Sequence, residues 1–555
     1  MPEDSRKAES SERVATGFPA EDGSMRFGWT MTPSPLTDLV KLVMQPVNVL
    51  PVVFVPGIMG SNLKSKARNT PVWRLDATLG QPLGLLRKVG TKGAGARQVL
   101  LHPDKTLVDD DGAVPTFAAG SIADRAGYKA RGWGEVGETS YQAFLLWLER
   151  TLNHPGKVHD KSWKEALKPV LSDQSGQWGA HRPFVPCTAS EIERAANWFY
   201  PVYACGYNWL EDNALSAQRL KARIERIIER HRQGLGRCEQ VLLTTHSMGG
   251  LVARACAQLD GMAGKIAGIV HGVMPAIGAP VAYRRCKVGM RDEDYAASLV
   301  IGETGQEVTA VFAQAPGALE LLPTQQYNAS WLSVKDPAGN DLLPPHPDPY
   351  QGIYAVRDRW WGLIKEEWLA PKGGEAIAWG DAMQYVSQAK DFHISIADKY
   401  HARTYGFHAA DPKQKSFEHV VWRLKTGIAP AGESRPPNPV DVMQMSPQQV
   451  RLDGTNPEFV GGEHVMQIAP SGMGASVVQY DTSHYELHAS RQDGGGDGTV
   501  PISSGQAPAT AANVRQWFAL KGFAHEPAYK DETAQLVTLY SIVKLTAQAK
   551  EPQRI

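Results

Sequence analysis

Ser247 lies in the stretch LLTTHSMGGLVARA, Leu242 to Ala255, whose residue types favour a nucleophilic serine. The stretch approximates G-x-S-x-G, a pattern that holds a serine on a sharp turn between a strand and a helix. Thr245 takes the place of the first glycine and Gly249 the place of the second. Because these two places require limited bulk, the threonine weakens the pattern without excluding it. The alternative is an ordinary junction whose serine caps the helix.

Two backbone N–H groups are candidates for an oxyanion hole. Acyl transfer needs donors that already point at the oxygen where negative charge develops, and one usually belongs to the residue after the nucleophile. That residue is Met248. The second candidate is Ile58, which follows Pro56-Gly57 in the loop VPGIMG. A tight turn that needs only Gly57 is the alternative for this loop.

A candidate acid and a candidate base follow the serine along the chain. GGGDGTVP places Asp497 in a glycine-rich turn, and KGFAHEPAY places His525 after an apolar strand. His525 would take the serine proton, and Asp497 would hold the tautomer of its imidazole. An ordinary Asp-Gly turn is the alternative for Asp497, and Asp411, just after TYGFHAA, is its rival as the acid.

No spacing in the sequence indicates a metal or a cofactor. HExxH is absent, and the five cysteines contain no CxxC pair. DDDG, Asp109 to Gly112, lacks the alternate spacing of a calcium loop and is typical of a solvated turn. His246 and His271 are interpreted as packing residues. We therefore expect neither a metal nor a cofactor in the chemistry.

The elements that would position these residues alternate between strand and helix. Helical periodicity follows the second strand, the Ser247 turn and the last strand. Such alternation predicts right-handed crossovers and an α/β fold, with a mostly parallel sheet and helices on both faces. Buried strands are predicted at VVFV, YPVYACGYNWL, QVLLTT, KIAGIVHGVMPAIGAP, TYGFH and VRQWFALKGF.

The 555 residues suit two domains or one such core with large insertions. Residues 1–45 are polar and are expected to be flexible, and the α/β domain is expected over 46–549. The alternation lapses at 66–195, 284–401 and 412–489, which we interpret as insertions, the second forming a cap or lid.

Charge and hydropathy exclude several classes of function. Lysine plus arginine (58) equals aspartate plus glutamate (58), which argues against a nucleic-acid partner. No apolar run approaches the roughly 18 residues that span a bilayer. The first residues, MPEDSRKAESSERVATGFPAEDGS, contain no apolar signal core. A cytoplasmic location is expected, with export by a leaderless, contact-dependent route as the alternative.

Together these stretches resemble the lecithin:cholesterol acyltransferase family of α/β-hydrolases. PVVFVPGIMGSNL is similar to its first strand and oxyanion loop, HSMGG to its nucleophile turn, AIGAP to the strand that follows, and GGDGTVP to the segment with its aspartate. GYNWL resembles its aromatic-Asp-Trp-Arg stretch, with Asn208 and Leu210 in place of the acid and the base. The resemblance implies a nucleophile at Ser247, an acid at Asp497 and a base at His525.

The same resemblance implies a lipase or phospholipase that cleaves lipid acyl esters through an acyl-enzyme. The expected partner is a lipid, a membrane glycerophospholipid reached by transient contact with the membrane surface. Trp73 in PVWRLD is the counterpart of a membrane-facing residue. Trp360, Trp361 and Trp368 in RDRWWGLIKEEWLAP could line the acyl pocket or form a lid, and plain core packing is the alternative.

Two other functions stay open at this point. The acyl group could be transferred to an alcohol instead of water, since one triad serves both reactions. The chain could also be an inactive binding protein, for which Thr245 is the best support. Bacterial toxins delivered by contact include lipases of similar pattern, and an inhibitory or delivery partner protein is expected in that case.

Overall fold

The computed structural model describes most of the chain. The described residues are 12–19, 25–27, 39–43, 46–76, 93–116, 123–153, 168–173, 175–233, 236–291, 293, 302–426, 438–460, 465–471, 474–480 and 485–552.

A six-stranded sheet forms the centre of the fold, and all its strands run parallel. Its order across the sheet is β6-β5-β4-β3-β1-β2. Strands covered on both faces are expected to be continuously apolar, and β1 is VVFV with all four residues buried. The strands are β1 (Val52–Val55), β2 (Val202–Ala204), β3 (Val241–His246), β4 (Ile266–Gly272), β5 (Thr404–Ala409) and β6 (Val514–Leu520).

Helices cover both faces of this sheet. Helix α1 (Asn213–Gln233) packs against α2 (Gly249–Gln258) on one face, where Val53 belongs to the hydrophobic core. The long C-terminal helix Glu532–Thr546 contacts β4, β5 and β6 on the other face, where Phe54 lies in a second core. Successive side chains of a strand point to opposite faces, so one apolar strand supplies both cores.

Because the six strands are parallel, their carboxyl ends meet at one edge of the sheet, where ligands bind in open α/β sheets. Ile58 follows β1, Ser247 follows β3 and His525 follows β6. The predicted α/β fold is confirmed, with a central parallel sheet of the α/β-hydrolase type.

The stretch YPVYACGYNWL is only partly a strand. The strand ends at Ala204, Cys205 still donates to the carbonyl oxygen of Phe54 on β1 (2.9 Å), and a buried loop continues to Leu210. Asn208 explains the difference, because its amide donates to the carbonyl oxygens of Pro103 (3.0 Å) and Thr106 (3.4 Å) in another segment. The sequence pattern therefore predicts the burial of this stretch but extends the strand too far.

The predicted insertions 66–195, 284–401 and 412–489 fall between successive strands of the central sheet, and the role of the second as a cap or lid stays a prediction. The other described helices before the C-terminal one are Ala94–Leu100, Arg125–Ala130, Ala143–Leu152, Lys168–Leu171, Ser175–Trp178, Ala189–Ala196, α3 (Val281–Val288), Gly305–Phe312, Pro316–Leu319, Trp379–Ile396, Pro439–Val442 and Ile502–Gln506. Short helical turns lie at Pro103–Lys105, Trp133–Glu135, Glu138–Gln142, Tyr350–Tyr354, Glu366–Leu369, Ala507–Thr510 and Glu526–Lys530.

Smaller sheets accompany the central one. The strand groups are Leu63–Ser65 with Pro71–Trp73 and Thr106–Val108; Leu332–Lys335 with Val420–Thr426, Tyr485–Ala489, Glu458–Val460 and Val450–Arg451; Asp411–Ser416 with Gly494–Gly496; and Val465–Ser471 with Gly474–Tyr480. The pair Asp411–Ser416 and Gly494–Gly496 leads directly into Asp497.

Residues 1–45, expected to be flexible, contain three described strands that form a small sheet, Glu12–Pro19, Met25–Phe27 and Leu39–Val43. The rest of this segment lies outside the described residues. Within the described part of the chain, we find no helix with the length and apolar character needed to cross a bilayer.

Candidate active site

Ser247 stands on a strained turn between β3 and α2. Its φ of 52° lies in the left-handed region that non-glycine residues rarely adopt. The backbone N–H of Ser247 donates to the carbonyl oxygen of Gly272 on β4 (2.9 Å), which fixes the turn to the sheet. A Cβ at Gly249 would lie 2.4 Å from the carbonyl oxygens of Val55 and Pro56, so this place requires glycine. Strain of this kind persists where the surroundings hold it and is common at reactive residues.

Thr245 fits where the motif usually has a glycine. Its side chain is fully buried, and its hydroxyl hydrogen-bonds Nδ1 of His271 on β4 (2.9 Å). The hydroxyl of Tyr529 donates to the carbonyl oxygen of Thr245 (2.8 Å). Burial lowers the pKa of His271 to about 3, so this imidazole is neutral. The threonine is therefore held by the sheet beside it and does not block the turn.

The three residues predicted as nucleophile, base and acid lie in one hydrogen-bonded row. Nε2 of His525 is 2.8 Å from Oγ of Ser247, and Nδ1 of His525 is 2.7 Å from Oδ2 of Asp497. The other oxygen of Asp497 accepts the backbone N–H groups of Thr499 (3.0 Å) and Val500 (2.7 Å). A carboxylate held this way keeps a proton on Nδ1 of the imidazole and leaves Nε2 free to accept the serine proton.

The rival acid, Asp411, does not reach His525. Its two oxygens accept the backbone N–H groups of Lys413 (2.8 Å) and Gly522 (3.0 Å). These hydrogen bonds hold the pKa of Asp411 below its usual value. Asp411 therefore anchors the turn that precedes His525, while Asp497 contacts the imidazole.

The loop after β1 lies directly against Ser247. The N–H of Gly60 donates to the carbonyl oxygen of Gly57 (3.0 Å), which closes a turn with Ile58 and Met59 at its centre. Met59 has a φ of 63°, and a Cβ at Gly57 would lie 2.9 Å from Cβ of Ser247. Among the described residues we find no acceptor for the N–H groups of Ile58, Met59 or Met248. Unpaired donors beside the serine are what an oxyanion hole requires.

Two further residues join this loop to His525. The hydroxyl of Tyr141 accepts the N–H of Gly57 (3.3 Å) and lies 3.0 Å from Nδ1 of His246. Nε2 of His246 lies 2.9 Å from the carbonyl oxygen of His525, which only accepts, so Nε2 carries the proton and Nδ1 accepts from Tyr141. Burial lowers the pKa of His246 to about 3 and keeps this bridge neutral.

The sequence indicates only a packing role for His246 and gives no indication of a role for Tyr141. The position of His246 next to Ser247 was a usable signal for it. Tyr141 lies about a hundred residues before the serine, in an insertion, and no motif marks it.

A cavity of about 590 Å³ opens on Ser247, His525 and Asp497. Most of its wall is apolar, and the predicted second insertion supplies Phe312 and Leu321 to it. A cavity with an apolar wall and few polar groups suits an acyl chain bound near a reactive centre. The remaining lining residues are Ile58, Met59, Gly60, Leu75, Ser140, Tyr141, His246, Pro275, Ala279, Val281, Ala282, Arg285, Met290, Glu293, Gln414, Gln492, Gly498, Thr499, Val500, Ala524, Glu526 and Pro527.

Trp73, expected to face the membrane, is buried under the loop that follows β1. Its side chain is 3% exposed, and its indole packs edge-on against Trp209 at 5.5 Å between ring centroids. Its Nε1 donates to the carbonyl oxygen of Met59 (2.6 Å). Trp73 therefore supports the loop and does not contact the membrane or the cavity.

The tryptophans of RDRWWGLIKEEWLAP are also core residues. Trp360 donates to the carbonyl oxygen of Val442 (2.8 Å) and Trp361 to that of Met443 (3.1 Å). Trp368 is 4% exposed. None of the three lines the cavity, so the structure does not place them in an acyl pocket as the sequence favours. Indoles that satisfy their N–H on buried carbonyls are typical of a packed core.

The acidic turn at 109–111 is paired with cations and is only partly solvated. Each of its carboxylates contacts a basic side chain, provided in order by Arg74, Lys64 and Lys129. Asp109 is 1% exposed, which differs from the expected solvated turn.

Comparison with known proteins places the fold among solved structures. No family model and no curated protein matches the chain. The chain is similar to a structure described as "The crystal structure of Tle4-Tli4 complex", with a TM-score of 0.68 and 29% sequence identity. The match covers 90% of this chain and 98% of that one. It does not support the narrower resemblance to the lecithin:cholesterol acyltransferase family.

Proposed function

We propose that this protein is a serine-dependent hydrolase of lipid acyl esters, a phospholipase that works through an acyl-enzyme. The observation that carries the proposal is the row Ser247–His525–Asp497, with both hydrogen bonds below 3 Å, on a strained turn that faces a mostly apolar cavity. The similarity to Tle4, a type VI secretion phospholipase effector of the α/β-hydrolase fold, supports the same class of reaction.

In the first half of the proposed reaction, Oγ of Ser247 attacks the acyl carbonyl carbon while Nε2 of His525 takes the hydroxyl proton. The negative oxygen of the tetrahedral intermediate accepts hydrogen bonds from the N–H groups of Met248 and Ile58. Asp497 stabilises the imidazolium. When the intermediate collapses, the ester C–O bond breaks, and the imidazolium gives its proton to the departing alcohol oxygen.

In the second half, water enters the same position and gives a proton to Nε2 of His525 as its oxygen attacks the acyl-enzyme. Collapse of this second intermediate breaks the bond to Oγ, returns the proton to Ser247 and releases the fatty acid. An alcohol in place of water would give a new ester by the same steps. Product analysis with an added diacylglycerol separates the two outcomes.

The arrangement around Thr245 weakens the argument for an inactive binding protein. The threonine gave that alternative its main support, and here it is hydrogen-bonded to the neighbouring strand and leaves Ser247 in reach of His525.

A protein partner is part of the proposal. The similar structure is a complex of Tle4 with Tli4, and its pairing suggests a protein immunity partner for an effector. We propose that this chain likewise acts on membrane lipids after export and is bound by an inhibitory protein where it is made. Co-purification of the chain with the product of a neighbouring reading frame, followed by loss of activity in the complex, tests this part.

Fatty-acid release from phospholipid vesicles tests the reaction. Ser247→Ala should lower release by at least about 10³-fold while the melting temperature stays close to that of the native protein. Ser503→Ala is a matched control, because its hydroxyl bonds Tyr327 and not the triad. Fatty-acid release by Ser247→Ala at the native rate would contradict the proposal.

A further inference from the structure

Arg285 presents unused hydrogen-bond donors to the active-site cavity. It lies on α3, lines the same cavity as Ser247, and its side chain is 20% exposed. Its Nε donates to Oε2 of Glu293 (3.0 Å). In the part of the chain that the structure describes, no acceptor contacts its two Nη groups. The planar end of this guanidinium is therefore available to a ligand.

The surroundings hold Arg285 in place. Glu293 is 6% exposed and also accepts from Nη1 of the buried Arg284 (2.8 Å). Arg284 lies over the ring of Phe417 and donates to the carbonyl oxygen of Ser490. One carboxylate therefore contacts two neighbouring guanidinium groups, and this network fixes Arg285 at the cavity wall. Electrostatic attraction to an anion is stronger at a partly buried cation than at an open surface.

Uncharged donors line the same cavity near the segment that carries Asp497. Gln414 lies on the strand Asp411–Ser416 and Gln492 precedes its partner Gly494–Gly496, and in the described part of the chain neither side-chain amide has a hydrogen-bond partner. Two further carboxylates line the cavity: Asp497, which is bonded to His525, and Glu526, which lies 3.8 Å from Lys530. Arg285 and the two amides are therefore hydrogen-bond donors that line one cavity.

We propose that Arg285 binds the phosphodiester of the lipid head group and so makes this site selective for phospholipids over uncharged glycerides. The inference rests on the proposed function, because it assigns the substrate of the same site. Guanidinium groups bind phosphate oxygens through paired, charge-assisted hydrogen bonds, and a neutral glyceride has no group that uses them. The apolar wall accepts the acyl chain of both lipids, so the arginine decides between them.

The test compares two probes that share their acyl chains, dihexanoylphosphatidylcholine and dihexanoylglycerol, both kept monomeric. Arg285→Gln should lower kcat/KM about 10- to 100-fold on the phospholipid and less than about 3-fold on the glyceride, the loss expected for a hydrogen bond to a charged group. Arg291→Gln is the matched control, since its side chain is 70% exposed and lies 3.9 Å from Glu303. It should change neither value.

Equal losses on both probes would show that Arg285 only supports α3 and would overturn the inference, as would no loss on the phospholipid. Binding to Ser247→Ala protein separates this result from the proposed function. If native protein hydrolyses neither probe, the proposed function fails. Tighter binding of the phospholipid than of the glyceride by Ser247→Ala protein, lost when Arg285→Gln is added, would still support phosphate binding by Arg285. Inorganic phosphate that binds as tightly as the phospholipid would assign the site to free phosphate and overturn it.

Discussion

Tyr141→Phe removes one oxygen atom that links the loop after β1 to the segment that carries His525. The hydroxyl of Tyr141 accepts from Gly57 and bonds His246, whose other nitrogen contacts the carbonyl oxygen of His525. Phenylalanine keeps the ring and its packing against Phe54 at 4.8 Å between ring centroids. The change therefore tests the hydrogen bonds with little effect on volume.

Two buried groups lose their partner in this variant, the N–H of Gly57 and Nδ1 of His246. An unsatisfied buried polar group costs about 1–3 kcal/mol, so the loss of two partners should lower the free energy of unfolding by about 2–6 kcal/mol. The loop is also free to move relative to Ser247. Since a misplacement of about 1 Å can cost about 100-fold, kcat should fall about 10- to 100-fold. KM should change little, because phenylalanine keeps the ring of Tyr141 in the cavity wall.

The assay is steady-state hydrolysis of a short-chain ester, read together with the melting temperature. Tyr200→Phe is the matched control: this buried tyrosine donates to the carbonyl oxygen of Ala195 (2.8 Å), in a segment that supplies no residue to the cavity. It should lower stability and leave kcat unchanged. A Tyr141→Phe protein that loses stability but keeps native kcat would show that Tyr141 contributes to packing and does not position the loop after β1.

Three further predictions concern Asp497, Gly57 and His271, with control variants for the first two. Asp497→Asn should lower kcat about 10³- to 10⁴-fold, whereas Asp411→Asn should lower it less than about 10-fold, and kinetics on one ester separates these two roles. Gly57→Ala should lower kcat about 100-fold, because the added Cβ lies 2.9 Å from its neighbours, while Gly93→Ala meets nothing within 4 Å and should match the native rate. Burial lowers the pKa of His271 from 6.5 to about 3, so between these pH values the unfolded chain binds a proton and the folded protein does not. Acidification below pH 6.5 should therefore lower the free energy of unfolding by about 1.4 kcal/mol per pH unit through this group. His271→Asn should remove that contribution, as measured by denaturant titrations at several pH values.

Local sequence predicts the sheet and the positions of the triad residues because these depend on neighbours in the chain. VVFV and the apolar part of QVLLTT are continuous apolar runs that end in small residues, which suits buried parallel strands followed by tight turns. Parallel strands then bring their carboxyl ends together. Ser247, Ile58 and His525 lie at one edge for this reason.

The rest of the site depends on contacts between distant segments that periodicity does not report. The sequence favours a membrane contact for Trp73 and a pocket or lid for the tryptophans at 360, 361 and 368, yet all four are buried in the core. Tyr141 and Arg285 have no motif around them. The role of Tyr141 depends on the distant residues Gly57 and His246, and that of Arg285 depends on the cavity that it shares with Ser247.

Covalent labelling with a fluorophosphonate tests whether Ser247 is the nucleophile. The native protein, treated with the probe, digested and analysed by mass spectrometry, should carry one phosphonyl group per chain on Ser247. Ser247→Ala should carry none, and prior incubation with the phospholipid substrate should slow labelling. A native protein that stays unlabelled, or a label that persists on another residue in Ser247→Ala, would show that Ser247 is not the nucleophile.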